Sequence, residues 1–234
     1  GPIGDLSVSG KLSSELGEMT ADALVRNILL KGTPIELSGV IHADELDLGE
    51  FSGQRMLGKC TGGSRLHAVL AQGSPAIHLD SLSLDRLGVL GYDYTGIAAR
   101  GTYTGNAFDG KIICGDPNLN FLMQGIFTLS RKTRYGLYKF YANLGYADLR
   151  ATGLDKRGYT SKASGKVNAN FTRIPSNDLI GDIDVNGLVL ENDQGRHEIG
   201  DIHIKSHSNE DTHRISLGSD FADGSFSGTR PFTE

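Results

Sequence analysis

The sequence predicts an all-β protein. Three observations carry that prediction: period-two alternation of apolar residues, turn chemistry between the alternating runs, and 32 glycines in 234 residues without collagen periodicity. The alternation comes first. Leu119, Phe121, Met123, Phe127 and Leu129 share one parity, and Tyr138, Phe140, Ala142 and Leu144 form the next run. Val167, Ala169 and Phe171 alternate with Lys166, Asn168, Asn170 and Thr172. Ile183, Val185 and Val189 alternate with Asp182, Asp184 and Asn186. Ile202 and Ile204 oppose His203, Lys205 and His207, and Ile215, Leu217 and Phe221 close the series. Successive side chains of a strand point to opposite faces, so each run has one apolar and one polar face.

The breaks are rich in turn formers. Examples are Lys31-Gly32-Thr33-Pro34, Gly73-Ser74-Pro75, Asp116-Pro117-Asn118, Arg131-Lys132-Thr133-Arg134 and Asn192-Asp193-Gln194-Gly195. Such clusters between alternating runs read as hairpins, giving a meander of about a dozen or more strands. Met19 to Leu30 has helix-forming composition. The hairpin pattern at Leu30 to Leu37 favours strand there instead, with Val25, Asn27 and Leu29 in it. Short helical turns are expected at 47–57 and 146–154. No linker stands out, so residues 1–234 read as a single β-rich segment. Alternation alone leaves two architectures open: a sandwich whose apolar faces meet, or a sheet whose apolar face is open to a guest.

Composition narrows the function. A net charge of −5 with no long basic run argues against a nucleic-acid partner. Cys60 and Cys114 fit neither a zinc pattern nor a disulfide framework; they read as small buried hydrophobes, and a disulfide between them stays open. No stretch reaches the ~18 apolar residues of a spanning helix. The chain opens Gly1-Pro2-Ile3-Gly4 and ends Pro231-Phe232-Thr233-Glu234, which reads as a segment of a longer protein whose membrane anchor lies elsewhere.

The search for reaction chemistry returns nothing. Gly224-Ser225-Phe226-Ser227-Gly228 has Phe where a nucleophile elbow needs Ser, and Gly62-Gly63-Ser64 lacks the phosphate-loop lysine. His203 and His207 share a strand face but stand ~13 Å apart, too far for one ion. Asp182 and Asp184 read as a solvated face. Asn170-Phe171-Thr172 fits a glycosylation sequon inside a strand, and Arg131, Lys132 and Arg134 read as a hairpin turn. The expectation is a non-enzymatic chain with no catalytic residues, metal or cofactor.

Two stretches carry a resemblance. Phe108-Asp109-Gly110-Lys111-Ile112-Ile113-Cys114-Gly115-Asp116-Pro117-Asn118-Leu119-Asn120-Phe121, followed by Gly125-Ile126-Phe127-Thr128-Leu129-Ser130, resembles the strand, D-x-N-L, strand, G-x-x-x-L-S texture of Bacteroidetes TamB-like proteins. Tyr141 to Leu154, Val167 to Phe171, Gly181 to Val185 and Ser219 to Gly224 follow in the order seen there. Glu45-Leu46-Asp47-Leu48-Gly49-Glu50-Phe51 with Leu57-Gly58 is similar to an element of AsmA-type repeats, placing such an element around 35–60.

The AsmA/TamB-like resemblance implies a long curved, mostly antiparallel sheet folded into an open trough, a β-taco, with few short helices. It implies the periplasmic part of a cell-envelope protein anchored in the inner membrane. The expected role is phospholipid transport toward the outer membrane, with an Omp85-type outer-membrane barrel as partner. The groove candidates are Leu119, Phe121, Met123, Phe127, Leu129, Phe140, Leu144, Val167, Phe171, Ile183, Val185, Val189, Ile202, Ile204, Ile215, Leu217 and Phe221, whose ligand would be phospholipid acyl chains. One alternative is a periplasmic scaffold for outer-membrane barrel assembly or secretion, acting through a sheet edge. Another is a carbohydrate-binding or adhesive β-protein, which the absence of Trp disfavours.

Overall fold

A computed structural model describes residues 4–71, 74–129, 135–175, 179–209 and 212–229. Strand makes up 76% and helix 2%, so the all-β expectation holds. The strands form one antiparallel sheet of 14, not closed into a barrel, in which chain neighbours are sheet neighbours throughout. They are β1 (Leu6–Ser14), β2 (Gly17–Arg26), β3 (Ile35–Asp47), β4 (Leu57–Ala71), β5 (Ser74–Val89), β6 (Tyr92–Thr104) and β7 (Ala107–Asp116), then β8 (Leu119–Thr128), β9 (Gly136–Asp148), β10 (Ser161–Arg173), β11 (Leu179–Asn192), β12 (Gly195–Ser208), β13 (His213–Ser219) and β14 (Gly224–Gly228). By packing, the chain divides into two units, Gly1–Gly105 with Gly110–Pro117, and Asn106–Asp109 with Asn118–Glu234. The expected turns at Gly73 and at 131–134, and the last residues from 230 on, lie outside the described residues.

The first unit is built from β1 to β6 and most of β7. β2 leaves the ladder at Asn27, which turns to φ 63° and whose side-chain amide donates to the Pro34 carbonyl at 3.1 Å. Asn27 and Leu29 therefore lie in the connection, not in the strand expected to hold them. Between β3 and β4 sits α1 (Leu48–Ser52). Asp47 caps it by accepting from the Glu50 N–H at 3.0 Å, and Gly53 ends it at φ 71°. At the end of β7, beside the start of β6, Asp116 is buried, accepting from Tyr92 Oη at 2.8 Å and from Thr95 N and Oγ1 at 3.0 Å each.

In the second unit β9 continues to Asp148, and the expected helical turn follows it. Thr152 N–H reaches back to the Asp148 carbonyl at 3.1 Å, and its hydroxyl donates to the same oxygen at 2.8 Å. Within the strands, glycine is required at two conspicuous places. Gly125 (φ 138°) lies opposite Phe140, and Gly181 (φ 137°) opposite Phe171. A Cβ there would stand 2.2 Å and 2.1 Å from the paired strand's carbonyl oxygens. Glycine at such sites lets the strand bend while the facing aromatic ring covers the gap.

Candidate functional site: the apolar face of each unit

Directly paired residues of an antiparallel ladder present their side chains on the same side. The registers therefore assemble rows that cross the strands. In the first unit one row reads Leu6, Val25, Leu37, Ala68, Ile77, Tyr103 from β1 to β6. The next reads Val8, Ala23, Gly39, Leu66, Leu79, Gly101, and a further one Leu12, Met19, Ala43, Gly62, Leu84, Ile97. The rows between them on the other face carry Lys11, Asp22, His42, Arg65 and His67. Six strands at ~4.8 Å spacing make each apolar row ~24 Å long.

The second unit repeats the arrangement with larger residues. One row is Phe127, Tyr138, Phe171, Gly181, Ser206, Ile215, Phe226; its neighbour is Gly125, Phe140, Ala169, Ile183, Ile204, Leu217, Gly224. A third is Met123, Ala142, Val167, Val185, Ile202, Ser219, and beyond it Phe121 pairs with Leu144. The last row is Leu119, Ala147, Ala163, Leu190. Tyr138 and Phe171 stack with ring centroids 4.7 Å apart, and Phe108 lies 5.4 Å from Phe127. The opposite face is polar: Gln124, Tyr141, Asn168, Asp184 and His203 stand in one row, Lys139, Asn170, Asp182 and Lys205 in the next.

Fourteen of the 17 groove candidates fall on these apolar rows, and three do not. Val189 pairs with Ser164 and Glu198 on the polar face, because the bulge at Asn186-Gly187 inserts one residue and reverses the parity set by Val185. Leu190 takes the place expected of Val189. Leu129 follows the end of β8 and is exposed, and Phe221 sits in the β13–β14 turn, 65% exposed. The whole apolar face of the first unit was missed. Its strands use Gly, Ala and Ser on that face, and bulges break the period. In β5, Ile77 and Leu79, then Leu82 and Leu84, then Leu87 share one face only because of irregularities at 80–81 and 85.

Neither face is sealed. Eight hydrophobic residues are buried among the described residues, and five of these are Cys or Ala: Cys60, Ala68, Cys114, Ala147 and Ala169, beside Leu46, Leu84 and Tyr94. Leu6 and Leu12 on the apolar face of β1 are 48% and 58% exposed, and Phe226 on that of β14 is 73% exposed. A sandwich core would have hidden these side chains.

The electrostatics belong to the polar faces. Arg86 bridges Glu45 at 2.8 Å and Asp93 at 2.7 Å, and Lys59 joins Glu45 at 3.2 Å; Lys59 first, then Arg86, hold the Glu45 carboxyl below its usual range. His203 pairs with Asp184 across β11 and β12. The two cysteines are free and buried, and desolvation raises both thiol pKa values. Among the described residues no group of three or more His, Cys, Asp or Glu could hold a metal ion. No helix among them is long and apolar enough to cross a membrane.

No protein-family model, characterised protein or solved structure matches this chain. The case for function therefore rests on the geometry of the two faces.

Proposed function

We propose that the apolar face of each unit seats phospholipid acyl chains, and that the chain is a non-enzymatic segment of a hydrophobic conduit across the periplasm between inner and outer membrane. The observation that carries this reading is the pairing of apolar rows, interrupted only by Gly and Ser, with half-exposed side chains. An apolar row left wet wastes ~25 cal/mol per Å² that a hydrocarbon guest would recover. The rows that cross six or more strands run ~24 Å or longer, against the ~15 Å of hydrocarbon in one leaflet, so one tail lies along one such row. The polar reverse face keeps the sheet in water. The AsmA/TamB-like texture of the sequence supplies the envelope setting and the Omp85-type partner, both part of the proposal.

The test is photo-crosslinking in cells. A photoreactive residue at Ile204 is expected to capture phospholipid, and one at the adjacent Lys205 is not. Equal capture at both positions, or none at either, would reject the reading. A second reading is supported by the end strands: β1 and β14 each have one neighbour in the ladder. A scaffold for outer-membrane barrel assembly would act through those edges by strand addition. It predicts crosslinks from β1 to protein and none from Ile204 to lipid.

A further inference from the structure

At one end of the second unit's ladder, where Leu149 N–H bonds the Ser161 carbonyl at 2.8 Å beyond β9, lies a cleft of ≈ 620 Å³. That volume is within the ~300–1,000 Å³ of small-molecule sites. Its walls are the segment joining β9 to β10 and the turn joining β11 to β12. Leu190 belongs both to the cleft and to the apolar row of Leu119, Ala147 and Ala163, so the cleft and the row share a side chain.

The charges on the cleft are mixed and specifically arranged. Arg157 donates from Nε to Asp155 at 3.0 Å and from Nη2 at 2.7 Å, while Nη1 donates to none of the described residues. The Asp155 side chain is 8% exposed and the Arg157 side chain 75%, so the fork is anchored at one end and open at the other. Lys162 Nζ pairs with Glu191 at 3.1 Å. A third carboxylate, Asp193, accepts from the Thr160 N–H at 3.0 Å and is in no ion pair among the described residues. The walls thus hold three acids and two bases.

We infer that this cleft receives the headgroup of a zwitterionic phospholipid, with the phosphate at Arg157 Nη1, the ammonium at Asp193, and a tail leaving over Leu190 onto the apolar row; the inference rests on the acyl-seat reading of those rows. A guanidinium held in place by a carboxylate is a pre-oriented phosphate donor. A purely anionic headgroup would meet walls that already carry one acid in excess. A zwitterion satisfies both signs at once.

Calorimetric titration of the full chain tests it. The probes are monomeric dihexanoyl-phosphatidylethanolamine, dihexanoyl-phosphatidylglycerol and tail-free glycerophosphoethanolamine, with displacement of a fluorescent fatty acid as a second readout. The ethanolamine lipid is expected to bind about tenfold tighter than the glycerol lipid. Arg157→Ala is expected to stay folded at about 25 °C, with a melting point lowered as in Asp155→Asn, and to abolish that preference. Glycerophosphoethanolamine is expected to bind at least about tenfold more weakly than the lipid bearing the same head. Equal affinity for the two lipids, or an unchanged preference in Arg157→Ala, overturns the headgroup assignment and leaves the acyl seat standing. Tail-free binding as tight as the lipid's identifies a free phosphoester as the ligand and overturns it as well. No heat from either lipid with no displacement of the fatty acid removes the acyl seat, and this inference with it.

Discussion

Val185→Arg distinguishes an open apolar face from a covered one, and an acyl seat from a structural surface. Val185 is half-buried in the row between Val167 and Ile202. Complete burial of Val is worth ~1.5–2 kcal/mol, so a half-buried one contributes ~1 kcal/mol. The lower strand preference of Arg adds up to ~1 kcal/mol. The long aliphatic stem can lie along the row while the guanidinium reaches water, so no buried charge arises. The expected loss is ~1–2 kcal/mol, or a melting point lower by about 5–10 °C for a unit of this size. In a covered core the same change would strand an unpaired charge at a cost of several kcal/mol, most of a domain's stability. The assays are a far-UV melt and titration with a fluorescent fatty acid, with Asn168→Arg on the polar face as the control. The folded Val185 variant is expected to lose at least about tenfold in acyl affinity, because the tail must desolvate the guanidinium. Unfolding at 25 °C would show that the face is covered in solution. A folded variant with wild-type fatty-acid affinity would refute the acyl seat at this row.

Three further outcomes follow from the geometry. Gly181→Ala places a Cβ 2.1 Å from the Asn170 carbonyl at φ 137°, and should cost ~3 kcal/mol in urea unfolding, whereas Gly224→Ala, with nothing within 4 Å, should change stability by less than about 0.5 kcal/mol; equal effects would contradict the register. Cys60 and Cys114 are buried with raised thiol pKa values, so both should resist a thiol reagent at pH 8 and react once urea unfolds the chain; rapid labelling of the folded chain would place them at the surface. Arg157, through its side chain first and its backbone N–H second, holds the Asp155 carboxyl well below the usual carboxylate range. A depressed pKa stabilises the fold above the unfolded value of about 3.9 and loses that contribution as pH falls below it, so Asp155→Asn should lower the melting point at pH 7 and converge on the wild type in acid. A gap that widens toward low pH would reverse the assignment.

Alternation made most of the second unit legible in the sequence. From Leu119 to Leu217 the apolar residues are large, the polar ones are charged or amide-bearing, and the runs keep strict parity over five or more residues. Where they do not, the sequence misleads for a local reason. Val189 keeps the parity of Val185 in the chain but not in the sheet, because Gly187 adopts φ 57° and takes up the extra residue of a bulge. Periodicity counts residues and cannot count bulges. The first unit illustrates the same limit: the parity of its apolar face changes at Glu45 (φ 50°) and Gly96 (φ 62°), so no window of fixed period follows it. The cleft at Arg157 was invisible for a different reason. Asp155 and Arg157 are two residues apart, but Glu191 and Asp193 reach them only through the pairing of β10 with β11.

An antiparallel meander with one apolar face meets a choice that its backbone cannot make. The ladder satisfies the N–H and C=O groups of each inner strand whether or not anything covers the face. Covering the face is a separate gain, and a second sheet is the usual source of it. In each unit here that gain is left partly unrealised: the fully buried apolar side chains are few and small, and Leu6, Leu12, Leu190 and Phe226 remain substantially wet. The glycines opposite Phe140 and Phe171 deepen the consequence, since they shape the strands at the cost of the side chains that would otherwise thicken the layer. A fold of this kind is more stable when an apolar guest lies on it. Linkage gives the size of the effect: at a ligand concentration one hundred times the dissociation constant the folded state gains about 2.7 kcal/mol. On the proposed reading the gain is reciprocal and weak per row, which is what a conduit requires. Each row must hold a tail well enough to take it from its neighbour and loosely enough to pass it on. A sealed pocket would fail the second condition, and a polar sheet the first.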